Sequence, residues 1–190
     1  RHVRKPIGHD SADRHVSGTA PYLDDIREPD GTLHVVPGGA PVAHGRLRGL
    51  DLTRVLAAPG VVAVLTAADI PSINDVSPVA GDDPLFVADE VSFHGQPLFA
   101  LVAETRDAAR RAARLAVIDI AEEPPLVTVA DALAAGADIM PAYAFRRGDP
   151  EAMLATGPTV LSGTLAIGGQ EHFYLEGQAA LAIPDEDGTY

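Results

Sequence analysis

The chain has 190 residues, no Cys and no Trp, and its 27 acidic against 14 basic side chains give a formal net charge of −13. No disulfide framework, thiolate zinc site or protein-ligated iron–sulfur cluster can form within it, and the negative charge opposes nucleic-acid binding through counterion release. Hydrophobic residues make up 46% and aromatic residues 5%, so the core is expected to be aliphatic and Ala-rich.

No run approaches the roughly 18 consecutive apolar residues of a membrane span. The basic start, Arg1-His2-Val3-Arg4-Lys5-Pro6, lacks the apolar stretch of a secretory signal. With the missing Cys, this points to a cytoplasmic compartment. The chain opens on Arg1, so a trimmed or partial chain is expected.

Residues 1–31 read as an irregular arm holding Gly8-His9-Asp10-Ser11 and Gly18-Thr19-Ala20-Pro21-Tyr22-Leu23-Asp24-Asp25. Asp24-Asp25 is a turn cap or a cation ligand pair. A first strand is expected over 32–36, closed by Pro37-Gly38-Gly39. Asp51 is placed to cap a helix over 52–58, which Pro59-Gly60 stops. The β-branched run 61–65 predicts a buried strand, and Thr66 caps one turn over 67–69.

A long connection follows over 71–94, rich in Pro, Asp and Gly. Loops of this length are functional or packed on a neighbour. His94-Gly95-Gln96 then makes a tight loop before a strand over 97–103. From Thr105 a helix places Ala108, Ala112, Leu115 and Ala116 on one face and Arg106, Arg110 and Arg114 on another. The Ala face implies close packing on a sheet. The Arg stripe is a solvated face or an anion or partner site. A strand over 117–121 completes a strand–helix–strand unit.

Thr128 caps a helix over 129–135 that Gly136 closes. Asp149-Pro150-Glu151 opens another, ended by Gly157. Strand-like segments follow over 159–167 and 173–184. The densest polar cluster, Gly168-Gly169-Gln170-Glu171-His172-Phe173-Tyr174-Leu175-Glu176, lies between and within them. Adjacent glycines allow close backbone approach by a ligand. Gln170 offers one carbonyl acceptor and two amide donors, suited to an oxo group or a pterin edge. The alternative is a plain hairpin turn. Strand alternation puts His172, Tyr174 and Glu176 on one face, as a polar network beside a site or a structural one at a domain contact. Four-residue spacing in a strand does not make a helical metal pair, so no protein-held metal is expected.

The Gly168–Glu176 segment closely resembles the first molybdopterin-site motif of xanthine dehydrogenases. Three further stretches resemble the same family in its order: Gly18 to Ile26, the start of its molybdenum subunit, and Pro59 to Pro71 and Val91 to Pro97, its α/β hammerhead domain. Arg147-Gly148-Asp149 is similar to its linker. The resemblance covers nearly the whole chain.

It implies an α+β fold: a hammerhead domain with its arm over 1–125, a linker over 126–157, and the truncated start of a molybdopterin-binding domain over 158–190. It implies oxidation of xanthine or hypoxanthine with oxygen from water, at a pterin-chelated molybdenum. Electrons then pass through [2Fe–2S] clusters and FAD, in partner domains or subunits, to NAD. Gln170 would orient the molybdenum oxo ligand, with Gly168 and Gly169 beside the cofactor. The rest of the molybdopterin domain, an FAD and iron–sulfur subunit and an oligomeric assembly are the implied partners. The family's later catalytic residues, including its general base, are missing, so this chain alone is expected to be inactive. Two alternatives stay open: a non-catalytic hammerhead module docking through 71–94 and the Arg stripe, and an aldehyde-type molybdenum hydroxylase.

Overall fold

The computed structural model describes residues 3–79 and 81–185. The expected α+β architecture is present, as two compact units: residues 30–144, and the described parts of 1–29 and 145–190.

The larger unit holds two three-stranded antiparallel sheets. Strand β1 is His34–Gly39, β2 Gly45–Asp51, β3 Val61–Thr66, β4 Glu90–Val91, β5 Pro97–Ala103 and β6 Val117–Glu122. One sheet has the order β1-β5-β3, the other β4-β2-β6. The 97–121 strand–helix–strand segment therefore does not build one parallel sheet, because β5 and β6 end in different sheets.

The central strand β5 is apolar on both faces and supplies Leu98, Phe99, Leu101 and Ala103, all buried. Helix α3, Arg106–Ala113, packs across β1 and β5 after Thr105 Oγ1 accepts from Ala108 N at 3.1 Å. Ala108, Ala109 and Ala112 are buried, so the Ala face packs on a sheet as its periodicity predicts. Ala109 widens the expected stripe. Small side chains let the helix sit close: a Cβ on Gly60 would stand 3.2 Å from Ala108 Cβ.

Several expectations shift. Strand β1 runs through Pro37-Gly38-Gly39 instead of stopping there. It is an edge strand, where a residue without an N–H is tolerated, and Gly38 lies opposite Phe99. Strand β3 is also an edge strand, and it is less buried than expected: Val61 and Val64 are half-buried against the core while Val62 and Leu65 are exposed. Strands β2 and β4 had no clear signal. Helix α2 is one turn, Thr53–Leu56, and Asp51 Oδ1 accepts from Thr53 N at 2.9 Å. Thr66 N and Oγ1 both donate to Asp69 Oδ2, at 2.8 and 2.9 Å, which fixes the predicted turn over 67–69.

The 71–94 connection is packed on its own unit. Asn74 brackets Phe86: Nδ2 donates to Phe86 O at 2.7 Å, and Phe86 N donates to Oδ1 at 3.1 Å. Phe86 and Val87 are buried as a result. The expected tight loop at 94–96 docks on the end of β1 through Gly95 N to Ala40 O, 2.8 Å. Buried Gln96 accepts from Ser92 N at 2.7 Å. Helix α4, Val129–Ala135, is capped by Thr128 and closed by Gly136 in the left-handed conformation. Among the described residues no helix is long and apolar enough to cross a membrane.

In the smaller unit the arm is less irregular than expected. Helix α1, Ala12–Ser17, ends at Gly18 with φ 71°, and a 3-10 turn spans Leu23–Asp25. Helix α5, Pro150–Thr156, starts where predicted, with Asp149 Oδ1 accepting from Ala152 N at 3.0 Å. The two strands expected over 159–167 and 173–184 are not formed: the described residues after Gly157 make no ladder. Alternating apolar residues mark strand potential, but a strand also needs a neighbour to accept its backbone groups.

Candidate cofactor site

The Gly168-Gly169-Gln170 segment lies in the smaller unit, in chain without regular structure. A Cβ built on Gly168 or Gly169 meets nothing within 4 Å, so the backbone is open to close approach. Gln170 is exposed, and no hydrogen bond occupies its amide among the described residues. Its carbonyl and two N–H donors are therefore available to a ligand.

After Gln170 the chain turns. Phe173 has φ 53°, and its N–H donates to Glu171 Oε1 at 3.1 Å. His172 and Tyr174 stack with ring centroids 5.5 Å apart and planes 2° from parallel. They share a side as alternation predicts, but a turn at Phe173 brings them together, not a strand.

Glu176 does something the sequence did not reveal. Its Oε1 accepts from Leu23 N at 2.5 Å, across 153 residues of sequence. One residue earlier, Tyr22 N donates to Asp25 Oδ2 at 2.9 Å. Two carboxylates thus take the N–H groups of the N-cap Tyr22 and of Leu23, the first residue of the Leu23–Asp25 turn. Asp25 is a turn cap, as one of its two expected readings had it. No local signal in the sequence marks a contact over such a separation.

Other polar groups lie in the larger unit. Arg46 on β2 contacts Asp89 at 2.6 Å, Glu90 at 2.9 Å and Glu123 at 3.9 Å. Its hydrogen bond to Asp89 first, then the charges of Glu90 and Asp89, hold its guanidinium above the ordinary range. His44 Nε2 lies 3.3 Å from Glu90 and 3.8 Å from Glu123. These are solvent-exposed pairs of small energetic weight. The Arg stripe of α3 is exposed, and Arg111 joins it. Two shallow grooves in this unit hold about 270 and 510 Å³. Apart from Arg111 and Thr66 their linings are apolar, and neither includes Gln170.

Among the described residues no group of three or more His, Asp or Glu is placed to hold a metal ion. The donor set at 168–170 instead suits a group that brings its own metal ligands and needs hydrogen bonds from the protein.

The model for the "Aldehyde oxidase and xanthine dehydrogenase, a/b hammerhead domain" matches residues 17–124. The chain belongs to this family. The molybdopterin cofactor-binding domain model matches residues 135–190, which include the Gly168–Glu176 segment. Xanthine dehydrogenase of Dictyostelium discoideum is 36% identical over 184 residues, 97% of this chain and 13% of that protein. Aldehyde oxidase 2 of Mus musculus is 37% identical over 183 residues, 96% of this chain and 13% of that protein. The solved aldehyde oxidoreductase from Desulfovibrio desulfuricans superposes with a TM-score of 0.60 at 28% identity, over 70% of this chain and 16% of that one. The hammerhead chain thus spans about an eighth of the length of its curated relatives, and it continues into the opening of the cofactor-binding domain.

Proposed function

We propose that this chain serves in a molybdenum hydroxylase acting on xanthine and hypoxanthine. In this reading, residues 1–125 are the hammerhead domain with its arm, 126–157 the linker, and 158–190 the start of the cofactor domain. When bound, the molybdenum cofactor supplies hydroxylation at a ring carbon with oxygen from water, and its electrons leave through [2Fe–2S] and FAD groups of partner domains to NAD. The proposed compartment is the cytoplasm.

One observation supports the reading above the rest. Gln170 stands exposed after two open glycines, with its amide unoccupied, inside the segment matched to the cofactor-binding domain. Its N–H donors would bind an oxygen of the cofactor and orient the centre. Gly168 and Gly169 would let the backbone approach where any side chain would intrude. The chain holds and orients, while the cofactor carries the oxidation.

Aldehyde oxidase 2 matches this chain as well as the xanthine dehydrogenases do. An aldehyde substrate is therefore the second reading. The test is oxidation of xanthine, hypoxanthine and an aromatic aldehyde in ¹⁸O-labelled water by the complete enzyme, this chain loaded with cofactor and joined to the partner domains the reading requires. Label appearing in the oxidised purine is the expected result. Label only in a carboxylic acid selects the aldehyde reading, and no oxidation of any substrate refutes both.

A further inference from the structure

We propose that Glu176 is a positioning residue for Gln170, acting through its hydrogen bond to Leu23 N; the inference rests on the reading of Gln170 given above. Little holds the 168–178 segment in place. It has no strand ladder, and its glycines touch nothing. Such a segment keeps no fixed geometry by itself. A side chain that must direct an amide at a cofactor atom needs a supporting shell.

Few contacts support the segment. Glu171 bonds its neighbour Phe173 N, and His172 stacks on Tyr174; both are local. Glu176 alone among them reaches a distant part of its unit, at 2.5 Å from Leu23 N. A carboxylate accepting from a backbone N–H is among the stronger hydrogen bonds. Its receiving end is itself fixed. Leu23 opens the 3-10 turn whose Tyr22 N is held by Asp25, and Ile26 N donates to Leu23 O at 3.0 Å. The anchor lies six positions beyond Gln170, with the Phe173 turn between them. Glu176 thus joins the opening segment to the cofactor loop and limits where Gln170 can point.

The experiment uses the complete cofactor-loaded enzyme, this chain together with its partner domains, carrying Glu176→Ala, Glu176→Gln or Gln170→Ala. Amide exchange at Leu23, molybdenum content, the Mo(V) electron paramagnetic resonance spectrum and steady-state kinetics are read for each. For Glu176→Ala, exchange at Leu23 should quicken roughly tenfold. Its kcat should fall about tenfold or more, with KM little changed and the Mo(V) spectrum altered. Glu176→Gln keeps an acceptor oxygen and should restore both exchange protection and the parent spectrum. Faster exchange with an unchanged spectrum and kcat overturns the positioning role. So does unchanged exchange in Glu176→Ala. Loss of molybdenum in Glu176→Ala that Glu176→Gln does not reverse also overturns it. The reading of Gln170 fails separately, if Gln170→Ala leaves the spectrum unchanged.

Discussion

Gly38→Ala should destabilise the larger unit by about 3 kcal/mol, at the upper end of the usual overpacking cost. Gly38 on β1 lies opposite Phe99 on β5. A Cβ there would stand 2.1 Å from Phe99 Cζ and 2.2 Å from Cε1. Carbon atoms pack at roughly 3.5–4.0 Å, so the ring would have to move by about 1.5 Å. Phe99 is 0% exposed, and the neighbouring Leu98 and Leu101 are equally buried, so the ring has no free space to enter. Phe99→Ala alone should cost about 3–5 kcal/mol through the cavity it leaves. With the ring gone, the added methyl has room. Gly38→Ala should then cost close to nothing, or stabilise by up to about 1 kcal/mol through reduced chain entropy. Urea denaturation of the four members of this cycle, followed by far-ultraviolet circular dichroism, measures the coupling directly. A Gly38→Ala protein within about 0.5 kcal/mol of the parent would refute the packing argument. So would a full cost persisting in the Phe99→Ala background.

Thr105→Ala should cost about 1 kcal/mol by removing the α3 cap, read as a lower urea midpoint with an unchanged slope. Asn74→Ala removes both bonds to Phe86 and should cost about 1–3 kcal/mol; cleavage by a protease within 71–94 should quicken, and an unchanged digestion rate would contradict the bracketing role. Three carboxylates lie below their ordinary range: exposed Asp51 through the Thr53 side chain and then its N–H, exposed Asp69 through the Thr66 N–H and then its hydroxyl, and half-buried Asp75 chiefly through the Ser77 N–H. Because each folded-state value is depressed, the stabilisation is present above the unfolded carboxylate pKa of about 3.9 and is lost as pH falls through the folded value. Asp69→Asn should therefore flatten the acid limb of a stability–pH curve, and an identical limb would rule its contribution out.

Local chemistry was legible where the signal was local. Thr66, Thr105, Thr128 and Asp149 each cap the element predicted for them, because a cap needs only a few neighbouring residues. The Ala face of α3 was readable from its period alone. Strand β2 was not, because Gly45 and Gly49 depress strand propensity and its register shifts between Leu47 and Gly49. Strand β4 has only two residues. Pro37-Gly38-Gly39 looked like a stop, yet Gly38 is in β1 because Phe99 fills the space opposite. The two late strands show the limit of pattern reading: alternation gives the faces of a strand, while pairing decides whether it forms. At the site, residue type is what singles out Gly168, Gly169 and Gln170. The Glu176 to Leu23 bond was not legible, since nothing in a sequence couples positions so far apart.

The measurement that tests the central claim most directly is steady-state turnover of the complete cofactor-loaded enzyme, with its partner domains, carrying Gln170→Ala. If Gln170 binds and orients the cofactor, kcat should fall about tenfold or more, while the melting temperature and molybdenum content stay at parent values. Exposure of Gln170 is the reason stability should be spared. Turnover equal to the parent, in a protein that keeps its molybdenum, would contradict the assignment.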